Sequence, residues 1–293
     1  MSRQRIVRRR LSVPPASGPS PVSAVPTSEV RRARRHLSEQ PLVITLIEAF
    51  DHAATGSITF VDPSGSDHTL RLLHGVPAGA ETRREIAPLG GILRSMGLSD
   101  EETLEVRLAS GSRYDMLTAR SLAIRGKLPE DVLREALRAQ LFERVRMLLG
   151  LSGDTLYSCH PGCNLLSSFH QREPIECSEA EFLQLIAEGV RLKRLELPVA
   201  RTLRLLKDVP LHLREDAPVN LLSLTDEERA VVEMLNVEAL TARELVGCDL
   251  APRGVTGIVI YLFAVLRFFE LPGENRPPIG TKRRCRSGVV RRG

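Results

Sequence analysis

Apolar positions change period along the chain, and each change marks an element. Leu42, Leu46, Ile47 and Phe50 recur at helical spacing behind Pro41, a residue tolerated at a first helical position, and predict a short helix. After Gly56 the period drops to two. Ser57-Ile58-Thr59-Phe60-Val61 alternates, the turn-rich run Asp62-Pro63-Ser64-Gly65-Ser66-Asp67 interrupts, and Thr69-Leu70-Arg71-Leu72-Leu73 resumes, which predicts a β-hairpin. His74-Gly75 punctuates it, and residues 76–81 predict a third short strand. Two helix hairpins at an offset of thirty residues follow, over 92–108 and 122–141. In each, a glycine-marked turn precedes an acidic first turn: Gly97 before Asp100-Glu101-Glu102, then Gly126 before Pro129-Glu130-Asp131. Residues 153–158 predict a strand that returns to the sheet.

Beyond Pro174 the helical period dominates. Ser178 with Glu181 has the spacing of a capping box, and Phe182, Leu185, Ile186 and Val190 form the apolar stripe behind it. Residues 194–207 predict another helix, interrupted at Pro198. Thr225 with Glu228 and Thr241 with Glu244 repeat the capping-box spacing, and a third helix is expected from near Pro252 to about Phe268. The expected fold class is therefore α+β: a small antiparallel sheet with paired helix hairpins over 38–165, then a helical, winged-helix-like region over 166–274.

Charge changes the picture at both ends. Residues 1–37 hold nine arginines against the single acid Glu29, and residues 276–293 hold seven Lys or Arg and no acid, so the remainder carries 25 bases against 35 acids. The overall charge of +5 thus belongs to the ends, while the body is acidic. Residues 1–37 and 275–293 are expected to be disordered basic segments, since they carry too few apolar residues to offset the entropy of ordering. Their candidate contacts to nucleic acid or an anionic surface are Arg8, Arg9, Arg10, Arg31, Arg32, Arg34, Arg35, Lys282, Arg283 and Arg284. No apolar stretch of secretory length follows the arginine-rich start, and the longest apolar run, 255–266, is far below the ~20 residues that span a bilayer. The reading is a cytoplasmic protein without a membrane span. Five cysteines, an odd number at uneven spacing, argue for reduced thiols.

Candidate chemistry is sparse. Cys159, Cys163, His170 and Cys177 supply enough soft ligands for a tetrahedral zinc site, but their spacing is irregular and no second knuckle completes it. The preferred reading is buried, small apolar cysteines beside a turn, with no metal and no cofactor. His52, His68 and His74 flank the hairpin and read as surface residues. No phosphate-binding glycine loop, dinucleotide fingerprint or nucleophile elbow is present, so an enzyme is not expected. The helix-turn-helix outline in 224–274 suggests DNA binding, yet its last helix is apolar on all sides and the preceding ones carry Asp226, Glu227, Glu228, Glu233, Glu238 and Glu244. A nucleic-acid-associated transcriptional regulator with basic tails stands as the alternative.

These segments together resemble the bacterial PATAN family, named for the amino-terminal region of a cyanobacterial response regulator. The resemblance runs through Thr55-Gly56-Ser57-Ile58-Thr59-Phe60, residues 70–80, Leu89-Gly90-Gly91-Ile92-Leu93, residues 128–140 and Gly153-Asp154-Thr155-Leu156-Tyr157, and then through 185–191, 224–235 and 241–245. It covers about residues 42–271. The resemblance implies a non-catalytic signalling adaptor that works by protein–protein contact. It also implies a protein partner such as a receiver-domain protein or a motility or secretion component. The chain departs from the family's common arrangement in having no receiver segment of its own, so phosphorylation in cis is not expected.

Overall fold

The computed structural model describes residues 34–83, 86–97, 129–166, 175, 177–193, 196–271 and 276–280, and within them the period-two segments form the sheet. Strands β1 (Arg35–His36), β2 (Gly56–Val61), β3 (Asp67–Leu73), β4 (Val76–Thr82) and β5 (Leu156–Pro161) lie in the order β1-β5-β2-β3-β4, every neighbour antiparallel. Alternation decides the two faces. Ile58, Phe60, Leu70, Leu72, Ala80 and Tyr157 are buried in the main core. The β3–β4 connection is a two-residue loop in which His74 and Gly75 both take positive φ, 52° and 88°, as the tight hairpin turn of matching twist requires.

Helix α1 (Leu42–Asp51) precedes the sheet, and α2 (Leu89–Ser95) and α3 (Glu130–Leu149) lie between β4 and β5. Residues 98–128, which carry most of the first hairpin and the start of the second, fall outside the described residues. Their two ends are visible. Met96 and Gly97 close α2, Gly97 with φ 85°, and α3 opens behind Pro129 with Glu130 and Asp131 in its first turn. Leu89 and Leu93 pack on Leu133, Ala136 and Leu137 as a small separate cluster. Further along the same face of α3 the buried Gln140 and Arg144, one turn apart, hold the segment after β4. Gln140 Nε2 donates to Ala87 O at 2.9 Å, and Arg144 donates to Ile86 O at 3.3 Å and Ala80 O at 3.2 Å. The Arg144 bond and that from Cys177 N to Pro77 O at 3.0 Å occupy carbonyls of the edge strand β4, a protection against strand addition.

The later half begins with α4 (Glu179–Lys193), opened by the expected box: Ser178 N donates to Glu181 Oε2 at 2.7 Å and Glu181 N to Ser178 Oγ at 3.2 Å. Then come α5 (Glu196–Leu205), β6 (Pro210–Leu211), a 3-10 turn (Val219–Leu221), α6 (Asp226–Val237), β7 (Leu240–Thr241), α7 (Ala242–Gly247) and α8 (Arg253–Leu266). Both remaining capping boxes form, at Thr225 with Glu228 and at Thr241 with Glu244. Strand β6 pairs with β7, and Leu213 bridges Phe269, which completes the winged-helix-like outline. The fold is α+β, with eight helices among the described residues and the five-stranded sheet.

Helix α4 joins the two halves. It packs on α1, α3 and β4 at one side and on α8 at the other. Phe182 stacks on Phe50 with ring centroids 4.9 Å apart, and a Cβ on Gly189 would approach Val43 Cγ2 to 2.8 Å and Leu149 Cδ2 to 2.9 Å. The buried residues of both halves accordingly form one cluster. Asp51 adds a polar tie: its carboxylate accepts from both Nη atoms of Arg267, the Nη1–Oδ1 bond at 2.8 Å, and from Arg276 Nη1 at 3.3 Å.

Several expectations need correction. Arg35, His36 and Leu37 belong to the fold rather than to a disordered segment, because β1 pairs with β5 and Leu37 is buried. The folded body also reaches past 275, for Ile279 is buried and its N–H bonds Leu266 O at 3.0 Å. Pro198 does not interrupt its helix. It sits in the first turn of α5, where no backbone N–H is needed. The return strand starts at Leu156 and includes Cys159, His160 and Pro161, so these residues lie in a ladder rather than beside a turn. His68 is buried, because its register opposite Phe60 turns it to the core face.

Candidate protein interaction groove

Two segments and two single side chains converge on an open groove of about 690 Å³. The β2–β3 turn contributes Asp62, Pro63 and Ser64; Ile86 follows β4; the end of α3 and the next residues contribute Met147 and Leu151; α4 contributes Leu192. Leu192 is 46 % exposed, at the edge of the buried stripe of α4. The floor is thus largely apolar. Its rim is charged and internally paired: Arg146 reaches Glu143 at 3.2 Å and Glu188 at 3.5 Å. An apolar floor inside a polar rim is the anatomy of a surface that takes up another protein.

The turn that walls the groove is rigid by its own chemistry. Asp62 Oδ1 accepts from Ser64 Oγ at 2.5 Å, Ser64 N at 2.8 Å and Ser66 N at 2.9 Å. Those bonds, the Ser64 hydroxyl first and the Ser66 amide next, lower the Asp62 carboxyl from 3.8 to about 2. Behind it, neither nitrogen of the buried His68 makes a hydrogen bond, and Nε2 stands 3.5 Å from Asp62 Oδ2. A depressed carboxylate stabilises the fold above its unfolded pKa and loses that contribution as pH falls through the folded value. The stability advantage of the wild type over Asp62→Asn should therefore be full above about pH 4 and shrink towards pH 2 in acid titrations of unfolding. An advantage unchanged over that range would refute the turn chemistry.

No family model, curated protein or solved structure matches the chain. Function must then be argued from its own residues. The candidate zinc set does not assemble among the described residues. Contrary to the expected burial, Cys159 and Cys163 are exposed, and only Cys177 of the three is buried in the core, while His170 lies outside the described residues. Burial, with Glu181 second, pushes the Cys177 thiol up to about 12, so on its own it is protonated at neutral pH. His160 is engaged by Thr59 Oγ1 at 2.9 Å. Among the described residues no group of three His, Cys, Asp or Glu is placed to hold a metal ion.

Of the candidate basic contacts, Arg8, Arg9, Arg10, Arg31, Arg32, Lys282, Arg283 and Arg284 lie outside the described residues. Arg34 is exposed, and Arg35 Nη1 donates to Gln40 Oε1 at 2.6 Å. Helix α8, in the position of a recognition helix, has every residue from Val255 onward buried or half-buried, which leaves only Arg253 and Gly254 exposed at its start. No helix among the described residues is long and apolar enough to cross a membrane. The groove was not visible in the sequence. Met147 is half-buried within the stripe of α3 and Leu192 continues the edge of the stripe of α4, so periodicity alone assigns both to the core.

Proposed function

We infer that this chain is a non-catalytic signalling adaptor of PATAN type, acting in the cytoplasm through protein–protein contact at the groove between Met147 and Leu192. The occupant is an amphipathic segment of a protein partner, apolar towards Ile86, Met147, Leu151 and Leu192 and charged where it meets the rim of Glu143, Arg146 and Glu188. The observation that supports this reading is the apolar floor itself. An exposed leucine beside a half-buried methionine, ringed by ion pairs already formed with each other, offers apolar area to a partner.

A photo-crosslinking side chain at Leu192, in the full chain inside its native cell, should trap one discrete protein. The same group at Leu205, 70 % exposed and remote from the groove lining, should not. Equal trapping from both positions, or none from Leu192 in a correctly folded chain, would exclude the groove as the contact surface.

A further inference from the structure

A second groove, of about 450 Å³, lies at the carboxyl end of α6 and has no role in the reading above. It is lined by Glu215, Ala217, Val219, Asn236, Val237 and Glu238, together with Arg214 and its neighbours. Its charge is unbalanced. Helix α6 points its negative end here and has no basic residue in its last turn, where a cation would ordinarily sit. Glu215 and Glu238 are exposed, and neither carboxylate has an ion pair or hydrogen bond among the described residues. The one arginine of the lining is already committed, with Arg214 Nε 3.3 Å from Asp216 Oδ1 and Nη1 3.4 Å from Arg276 O. Val237, 84 % exposed, adds an apolar face beside the acids.

The described chain ends beside this groove, in contact with Arg214 of its lining and with Pro218. Arg276 offers its carbonyl to Arg214, Ile279 is pinned to Leu266 O, and Gly280 sits where a Cβ would lie 2.5 Å from Leu183 Cδ1 and 3.1 Å from Pro218 Cγ. Pro218 stands between the lining residues Ala217 and Val219. The next residues are Thr281-Lys282-Arg283-Arg284-Cys285-Arg286-Ser287-Gly288-Val289-Val290-Arg291-Arg292-Gly293, with six bases, no acid and a Val-Val pair. At ~3.4 Å per residue, residues 282–286 lie within about 20 Å of Gly280, and tethering keeps their local concentration high.

We propose that this groove is the docking site of the basic segment 281–293 of the same chain, whose Lys and Arg side chains meet Glu215, Glu238 and the carboxyl end of α6. The segment is then held by the body in low salt and released when salt or a stronger anion competes. The seat is intramolecular, and its grip falls as screening rises.

The test uses the full chain with a spin label on Cys285 after Cys159, Cys163 and Cys248 are changed to Ser. At low salt the amide signals of Val237, Glu238 and Ala239 should lose intensity. They should recover at about 1 M salt, where screening acts over ~3 Å, and in the double variant Glu215→Gln with Glu238→Gln, both exposed positions that the fold tolerates. Full intensity at low salt in the labelled chain would overturn the proposal, as would broadening that the double variant leaves unchanged. Broadening of unlabelled chains mixed with labelled ones, at the strength seen within one chain, would assign the groove to a second copy and overturn it equally.

Discussion

Gly75→Ala should destabilise the protein by more than about 3 kcal/mol, because two independent penalties meet at this position. Gly75 has φ 88°, a conformation that costs an L-residue roughly 1–2 kcal/mol. The larger penalty is spatial. A Cβ there would stand 2.5 Å from Phe50 Cα and 2.6 Å from Ala49 O, and both are backbone atoms that cannot rotate away. The β3–β4 turn sits against the end of α1, tied by Gly75 N to Ala54 O at 2.9 Å and His74 N to Thr55 Oγ1 at 3.2 Å. Relief would require the turn to leave the helix, and with it the buried residues of β3 and β4. Gly65 separates the two penalties. Its φ is 77°, but nothing lies within 4 Å of its Cβ position, so Gly65→Ala should cost only about 1 kcal/mol. Denaturant unfolding of both variants checks this, and a Gly75→Ala value within error of Gly65→Ala would mean that the turn does not abut α1.

Glu228→Ala should cost about 3 kcal/mol or more, through a different mechanism. Glu228 is 4 % exposed and receives both arms of Arg191, Nε to Oε1 at 2.8 Å and Nη2 to Oε2 at 2.7 Å. The same Oε2 accepts from Thr225 N at 2.9 Å, which closes the capping box of α6, and Arg191 Nη2 also donates to Ser223 O at 2.9 Å. One truncation therefore takes the bidentate counter-charge from a part-buried guanidinium, leaving it only Glu188 at 3.9 Å, and removes the return bond of the capping box, while Thr225 Oγ1 still caps the amide of residue 228. Glu228→Gln keeps an acceptor for the cap and should cost less. The exposed pair Glu130 with Arg134, 3.1 Å apart, is the reference: Glu130→Ala should change stability by less than about 0.5 kcal/mol. Unfolding midpoints that place Glu228→Ala beside Glu130→Ala would show that the link between α4 and α6 does not matter to the fold.

What the sequence reveals and what it hides follow from the range of each interaction. The hairpin of β2 and β3 and all three capping boxes are local, set within a few residues by alternation or by a Ser/Thr-x-x-Glu spacing, and each is read correctly from the chain. Strand β1 is the opposite case. Arg35 and His36 have no strand character of their own, and their pairing with Tyr157 and Leu156 is imposed from more than a hundred residues away. Likewise His68 reads as a polar strand-end residue until the register opposite Phe60 turns it inward. The groove is hidden for the same reason. Periodicity tells which face of α3 or α4 is buried, but not that Met147 and Leu192 meet the turn at Asp62 across three elements.

The role of that groove is most directly measured by the affinity of the partner recovered at Leu192, titrated in pure form against the wild-type chain and against Met147→Asp and Leu192→Asp. The predicted result is a loss of at least about tenfold in each variant, the equivalent of 1.4 kcal/mol, with the unfolding midpoint of Leu192→Asp close to wild type because that side chain is 46 % exposed, and that of Met147→Asp lowered because Met147 is half-buried against the core. Unchanged affinity in both folded variants would contradict the account.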